Sequence, residues 1–145
     1  MAQELTLSGV FDAVAEAVPD REAIVFRDRR LSYADVVDRS SRLARVLADA
    51  GLGAHRERDG LGGHESHLDH IGLYLHNGSE YIEGMLAASR ARVAAFNVNY
   101  RYVAEELLYL LHDSGARGVV FHARFAPLLA EVRDRLPDVD LWLQV

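Results

Sequence analysis

The sequence contains no cysteine and no lysine among its 145 residues. Without cysteine the chain has no disulfides, thiol nucleophiles or thiolate metal ligands. All sixteen basic residues are therefore arginine. Schiff-base chemistry is excluded for this chain, because a guanidinium cannot replace the lysine amine. A phosphate-loop lysine is excluded too, and a guanidinium differs from it in geometry.

Long apolar runs and an excess of basic charge are also missing. No apolar stretch approaches the ~20 residues that a membrane-spanning helix needs, and the first residues lack the basic region and apolar core of a secretory signal. The formal net charge is −6, which argues against nucleic acid as a partner. We therefore expect a globular cytoplasmic protein with no membrane span.

The apolar periodicity predicts a helix and a hairpin, followed by alternating strands and helices. The first helix covers residues 10–18, and the hairpin turns at Asp28–Arg29. Ser32 and Asp35 have capping-box spacing at the start of a helix over 33–50. Further strands are predicted at 71–75, 93–98, 118–121 and 141–145, with helices at 81–88, 103–113 and 125–136 between them. Asn77 and Ser79 are predicted to cap the helix at 81–88.

This alternation predicts an α/β fold with a mainly parallel sheet, flanking helices and right-handed βαβ crossovers. The last strand, LWLQV, reads as an interior strand that nothing in the sequence covers. We therefore expect residues 1–145 to form a single partial domain of a larger protein, which suits dimerisation or another form of homo-oligomer if the chain stands alone.

A histidine-rich segment at 54–69 lacks any periodicity and is predicted to be a loop. His64, His67 and His70 suggest metal ligation, and Glu65 lies between the first two. The run His64-Glu65-Ser66-His67 is, however, one residue short of the H-E-x-x-H zinc motif, and no helix is predicted to hold it. We interpret the segment as a mobile insertion and predict no metal ligands.

Motifs that carry catalysis are absent from the sequence. The glycines at 51–53 and 60–63 complete neither a Rossmann nor a Walker pattern, and no serine lies in a G-x-S-x-G elbow. The segment NVNYRY at 97–102 is the best ligand-binding candidate, because it follows a predicted strand and ligands bind at the carboxyl ends of parallel strands. Tyr100 and Arg101 are its candidate site residues, and no catalytic residue is assigned.

The order of several blocks resembles the N-terminal portion of AMP-forming acyl-CoA synthetases, of the adenylate-forming ligase superfamily. The blocks are L-S-Y before a long helix, L-x-N-x-x-E-Y-x-E-x-M-L-A at 75–87, NVNYRY at 97–102 and HDSGAR at 112–117. NVNYRY is similar to the fatty-acyl-CoA synthetase branch in particular. The resemblance covers nearly the whole chain apart from 54–69.

The resemblance implies ATP-dependent activation of a carboxylic acid through an acyl-adenylate, with magnesium, and transfer of the acyl group to CoA. It also implies that the phosphate loop and catalytic lysine lie in the rest of a synthetase chain, so we expect residues 1–145 to be inactive alone and to hold no cofactor alone. Tyr100 and Arg101 would lie on the CoA or acyl side of a complete enzyme. The alternative is a stand-alone, non-catalytic α/β module for binding or dimerisation.

Overall fold

The computed structural model describes residues 5–145, and its helices and strands alternate as the periodicity predicts. The helices are α1 (Leu7–Ala17), α2 (Tyr33–Asp49), α3 (Ser79–Arg90), α4 (Ala104–Asp113) and α5 (Ala126–Val132). The strands are β1 (Glu22–Phe26), β2 (Arg29–Ser32), β3 (His70–Tyr74), β4 (Ala94–Asn97), β5 (Ala116–Phe121) and β6 (Leu141–Gln144). The predicted α/β class is confirmed.

Strands β3 to β6 form one parallel sheet in the order β4-β3-β5-β6, and β1 and β2 pair as a separate antiparallel hairpin. The chain moves from β3 outward to β4, returns across β3 to β5, and then continues outward to β6. The connections leaving β3 and β5 therefore run in opposite directions. This reversal of strand order between β3 and β5 is the switch point at which open α/β sheets bind ligands.

Each face of the sheet is covered by helices over an apolar layer. Helices α2 and α3 pack on one face, where Leu47, Ile71 and Leu73 are fully buried. Helices α4 and α5 pack on the other face, where buried residues include Leu107 and Val119. Such continuous burial on both faces explains why the strands read as apolar runs rather than as alternating patterns.

The start of α2 is the capping box that the sequence predicts. The Asp35 backbone N–H donates to Ser32 Oγ at 3.1 Å, and the Ser32 backbone N–H donates to Asp35 Oδ2 at 2.8 Å. The Ser32 backbone N–H and the Ser32 hydroxyl both donate to the Asp35 carboxylate, and these two bonds lower the pKa of that carboxyl. Helix α1 begins three residues before the predicted position, because Thr6 Oγ1 accepts from the Gly9 backbone N–H at 3.1 Å and caps it.

Two local predictions are wrong. Helix α3 has Gly78 at its N-cap without any side-chain cap, because the Ser79 hydroxyl accepts a hydrogen bond from Arg29 instead. The helix predicted over 125–136 is α-helical only in α5, and 3-10 turns flank it at Ala123–Phe125 and Arg133–Arg135. Pro127 accounts for the start of α5, since it supplies no N–H to the preceding turn, and Pro137 accounts for the end of the 3-10 turn at Arg133–Arg135, since it restricts the residue before it.

Candidate functional site

A groove of about 650 Å³ opens at the carboxyl ends of β3 and β5, at the switch point of the sheet. Its walls come from the β1–β2 turn, the loops after β3, β4 and β5, and the first turn of α3. The lining residues are Phe26, Arg27, His76, Asn77, Gly78, Glu80, Tyr100, His122 and Arg124. Segments far apart in sequence therefore meet where the fold favours a ligand.

Two neighbouring histidines line the groove, one after each central strand. The His76 backbone N–H donates to His122 Nδ1 at 3.1 Å, so the neutral His122 ring carries its proton on Nε2. The His76 ring packs between Tyr100 and Phe125, with centroids 4.6 and 5.1 Å away. Burial lowers the pKa of His76, and the neighbouring positive charge of Arg124 lowers it further. His76 is therefore a neutral ring that helps to form the wall.

Two arginines give the groove its positive charge. Arg27 lies 5.2 Å from the Phe26 ring centroid, and Arg124 lies 5.6 Å from that of Phe125. Neither guanidinium has a carboxylate partner among residues 5–145. The acidic group of the groove, Glu80, is neutralised by Arg29 at 2.7 Å. Two guanidinium groups and a ring N–H thus face a space that suits an anion.

Residue 27 also has an unusual backbone, with a φ of 55° at the β1–β2 turn. A positive φ is uncommon for a residue other than glycine. The turn therefore falls at Arg27–Asp28, one residue before the predicted Asp28–Arg29 tip. This shift places Arg27 on the groove while its neighbour Arg29, already in β2, pairs with Glu80.

The structure brings only one of the two predicted site residues into the groove. Tyr100 lines it and is 45% exposed. Arg101 does not line it; its guanidinium lies 5.6 Å from the Tyr100 ring centroid, and its backbone N–H donates to Asn99 Oδ1. A ligand role for Tyr100 and Arg101 remains a prediction.

The sequence did not indicate Arg27, His122 or Arg124 as site residues. His122 carried a usable signal, because it directly follows a predicted strand, as the NVNYRY segment does. No sequence signal indicated Arg27, because a hairpin turn reaches the sheet edge only through the packing of β1 and β2 against α2 and α3.

The histidines of the 54–69 segment are not brought together as metal ligands. His70 Nδ1 contacts the Ser114 backbone carbonyl at 2.5 Å, which uses that ring to join β3 to the end of α4. His67 instead faces a basin beside Arg56 and Arg58. Within residues 5–145, no group of three or more His, Asp or Glu side chains is placed to hold a metal ion.

The parallel sheet, the flanking helices and the switch-point groove define an open-sheet α/β domain. The chain belongs to the AMP-binding enzyme family, which matches residues 11–144. The resemblance seen in the sequence is thereby confirmed.

Individual relatives have more specific names. The chain is 51% identical over 140 residues to the medium-chain acyl-CoA ligase Mig of Mycobacterium avium, which covers 97% of this chain and 26% of that protein. It is 34% identical over 139 residues to a medium/long-chain-fatty-acid–CoA/3-oxocholest-4-en-26-oate–CoA ligase of Mycobacterium tuberculosis, covering 96% of this chain and 23% of that protein.

A solved structure of a Mycobacterium tuberculosis fatty acyl CoA synthetase has the same fold. It superposes with a TM-score of 0.81 at 25% identity, over 97% of this chain and 26% of that chain. The chain thus spans about a quarter of the length of the relatives that it matches. No helix within residues 5–145 is long and apolar enough to cross a membrane.

Proposed function

We propose that the chain serves in ATP-dependent activation of a medium- or long-chain fatty acid as its CoA thioester, as the N-terminal part of an acyl-CoA ligase. The observation that carries the proposal is the 51% identity, over nearly the whole chain, to a medium-chain acyl-CoA ligase. The relatives are named as acyl-CoA ligases, which favours this function over a stand-alone binding or dimerisation module.

The switch-point groove fits the phosphate-bearing part of CoA. Arg27 and Arg124 supply unpaired guanidinium groups, and His122 supplies an Nε2–H donor. Tyr100 adds an exposed aromatic ring beside them, on which a base or a pantetheine arm can pack. CoA, when bound, supplies the thiol that accepts the acyl group; the residues of this chain bind and orient its anionic part.

The same residues do not fit the chemistry of ATP and magnesium. Neither a glycine-rich phosphate loop nor any lysine is present in the sequence, and residues 5–145 hold no metal-binding cluster. We therefore assign ATP and magnesium to the rest of the ligase, and the role of this chain to the CoA side.

A chimera tests the proposed activity. Residues 1–145 replace the matching quarter of the Mycobacterium avium ligase, and formation of fatty acyl-CoA from ATP, CoA and a medium-chain acid is measured. We expect a folded chimera to form the thioester. A folded chimera that adenylates the acid but transfers no acyl group to CoA would contradict the CoA assignment. A folded chimera that neither adenylates the acid nor forms the thioester would contradict the proposed function.

Calorimetric titration of the 145-residue chain with CoA tests the groove directly, and binding there would overturn the expectation that the chain holds no cofactor alone. Arg124→Gln is expected to weaken binding about tenfold, since a charge-assisted hydrogen bond contributes ~1.5 kcal/mol or more. Arg45→Gln is the matched control, because Arg45 is an exposed arginine of α2, paired with Asp49 away from the groove. Equal affinity for both variants would rule out Arg124 as a CoA contact.

A further inference from the structure

Arg29 joins the β1–β2 hairpin to the first turn of α3 at the wall of the switch-point groove. Its Nη1 donates to Ser79 Oγ at 3.0 Å and to Glu80 Oε1 at 2.7 Å. Ser79 is fully buried, and Glu80 is one of the residues that line the groove. One guanidinium thus engages two consecutive residues of α3. Arg29, which does not itself line the groove, therefore holds a side chain that does.

Glu80 carries a negative charge at neutral pH. Burial opposes its ionisation, but hydrogen bonds from its own backbone N–H and from the Ser79 hydroxyl, together with the charge of Arg29, outweigh burial and lower the pKa of the carboxyl. Its place in the first turn of α3 also favours the carboxylate, because a helix N-terminus attracts negative charge. The groove is therefore lined by one carboxylate as well as by guanidinium groups.

The Glu80 carboxylate lies at the wall of the groove, against the hairpin. A Cβ at Gly78 would meet Glu80 Oε2 at 3.0 Å and Phe26 Cε1 at 3.5 Å, and all three residues line the groove. The positively charged side chains among the lining residues are Arg27 and Arg124. A Glu80 that had lost its partner in β2 would therefore face the two guanidinium groups that an anionic ligand needs.

We propose that Arg29 is a specificity-determining residue of the groove, which by pairing with Glu80 keeps Arg27 and Arg124 available to an anionic ligand. The inference rests on the proposed function, in which that ligand is the phosphate-bearing part of CoA. Without Arg29, the Glu80 carboxylate repels the ligand phosphates and competes with them for the two guanidinium groups. A purely structural role for Arg29, in which it only holds the hairpin in place, does not depend on the charge of Glu80.

A double-mutant cycle separates the charge of Arg29 from its structural contacts. The 145-residue chain is titrated calorimetrically with CoA and, separately, with inorganic pyrophosphate. Arg29→Gln is expected to weaken the binding of both anions about five- to tenfold, the scale of one charge–charge contact near a protein surface. Adding Glu80→Gln to Arg29→Gln should restore both affinities to within about twofold of the unaltered chain, because the repelling carboxylate is gone.

Arg30→Gln is the matched control for the loss of charge. Arg30 is the next residue of β2, its exposed side chain pairs with Glu22 at 2.7 Å, and neither of these residues lines the groove. The substitution removes the same charge from the same hairpin and should leave both affinities unchanged. Glu80→Gln alone tests the proposal even where Arg29→Gln does not fold. It leaves the Arg29 charge unpaired beside the groove, so it should bind both anions about two- to threefold more tightly.

Three outcomes would overturn the inference. The first is an affinity that stays low when Glu80→Gln is added to Arg29→Gln, which would show that Arg29 only holds the hairpin. The second is weaker binding by Glu80→Gln alone, and the third is the absence of binding of either anion by the unaltered chain. Binding of pyrophosphate but not of CoA, with the cycle as expected, would support the role of Arg29 and contradict the CoA assignment. Circular dichroism of each variant confirms that it is folded before its binding is interpreted.

Discussion

The Tyr74 hydroxyl provides the sharpest test of the packing beneath the groove. Tyr74 ends β3, is fully buried, and stacks on Phe125 with ring centroids 4.2 Å apart. Its hydroxyl is buried without a hydrogen-bond partner among residues 5–145. An unsatisfied buried hydroxyl costs roughly 1–3 kcal/mol, whereas an apolar group of the same shape in its place can be neutral or stabilising.

We therefore expect Tyr74→Phe to raise the free energy of unfolding by about 1 kcal/mol, which corresponds to roughly 2–4 °C in Tm for a chain of this size. Urea denaturation followed by circular dichroism measures the change, and an unchanged m-value shows that the folded state is otherwise the same. Tyr109→Phe is the matched control, because Tyr109 is 69% exposed and its substitution should leave stability unchanged.

The pH dependence adds a second readout. Burial raises the pKa of Tyr74, so the folded state holds this proton more tightly than the unfolded chain does. The unaltered chain should lose stability as the pH rises above about 10, the pKa of an unfolded tyrosine, and Tyr74→Phe should lose less. A loss of stability in Tyr74→Phe at neutral pH would show that the hydroxyl has a partner and would refute the reasoning.

Three further measurements follow from the same structure. Gly72→Ala should lower the free energy of unfolding, measured by urea denaturation, by about 1–3 kcal/mol, because its Cβ would meet the stiff Val98 side chain at 2.9 Å. Gly84→Ala should cost less, since its Cβ would meet only the movable end of Leu73. Asp35→Asn should flatten the acid limb of the stability–pH curve, because the folded state lowers the pKa of the Asp35 carboxyl. The stability that this carboxylate contributes is full above its unfolded pKa of about 4 and is lost as the pH falls through the folded pKa. Acid limbs of equal slope in Asp35→Asn and the unaltered chain would show that titration of the capping-box carboxylate does not affect stability. Arg101→Ala should weaken CoA binding less than Arg124→Gln does, and the opposite order would show that Arg101 swings into the groove.

Much of the fold could be predicted because its signals are local. The capping box of Ser32 and Asp35 needs only residues three positions apart, and the strands read as short apolar runs between helical periods. The α3 cap could not be predicted, because Arg29 is fifty positions from Ser79 and takes its hydroxyl through tertiary packing. Propensity shows which side chains can cap a helix, but not which of them another element engages.

The residues of the site also divide into those that the sequence predicts and those that only tertiary packing brings together. Tyr100 was predictable from its position after a strand, while Arg27 and Arg124 meet only when the β1–β2 turn and the β5 loop reach one sheet edge. The 54–69 segment remains a predicted insertion, but its ties through Asp69 show more order than its composition indicates. A glycine-rich, charged loop can be held at its base by a few hydrogen bonds that the sequence pattern does not reveal.

The central claim is that the carboxyl edge of β3 and β5 receives the anionic part of CoA, and nuclear magnetic resonance maps this most directly. The 145-residue chain, labelled with nitrogen-15, is titrated with CoA, and shifts of the backbone amides are followed. We predict that the shifting amides cluster at His76, Asn77, Tyr100, His122 and Arg124. Shifts confined to the 54–69 loop and Arg92, or no shifts at saturating CoA, would contradict the account.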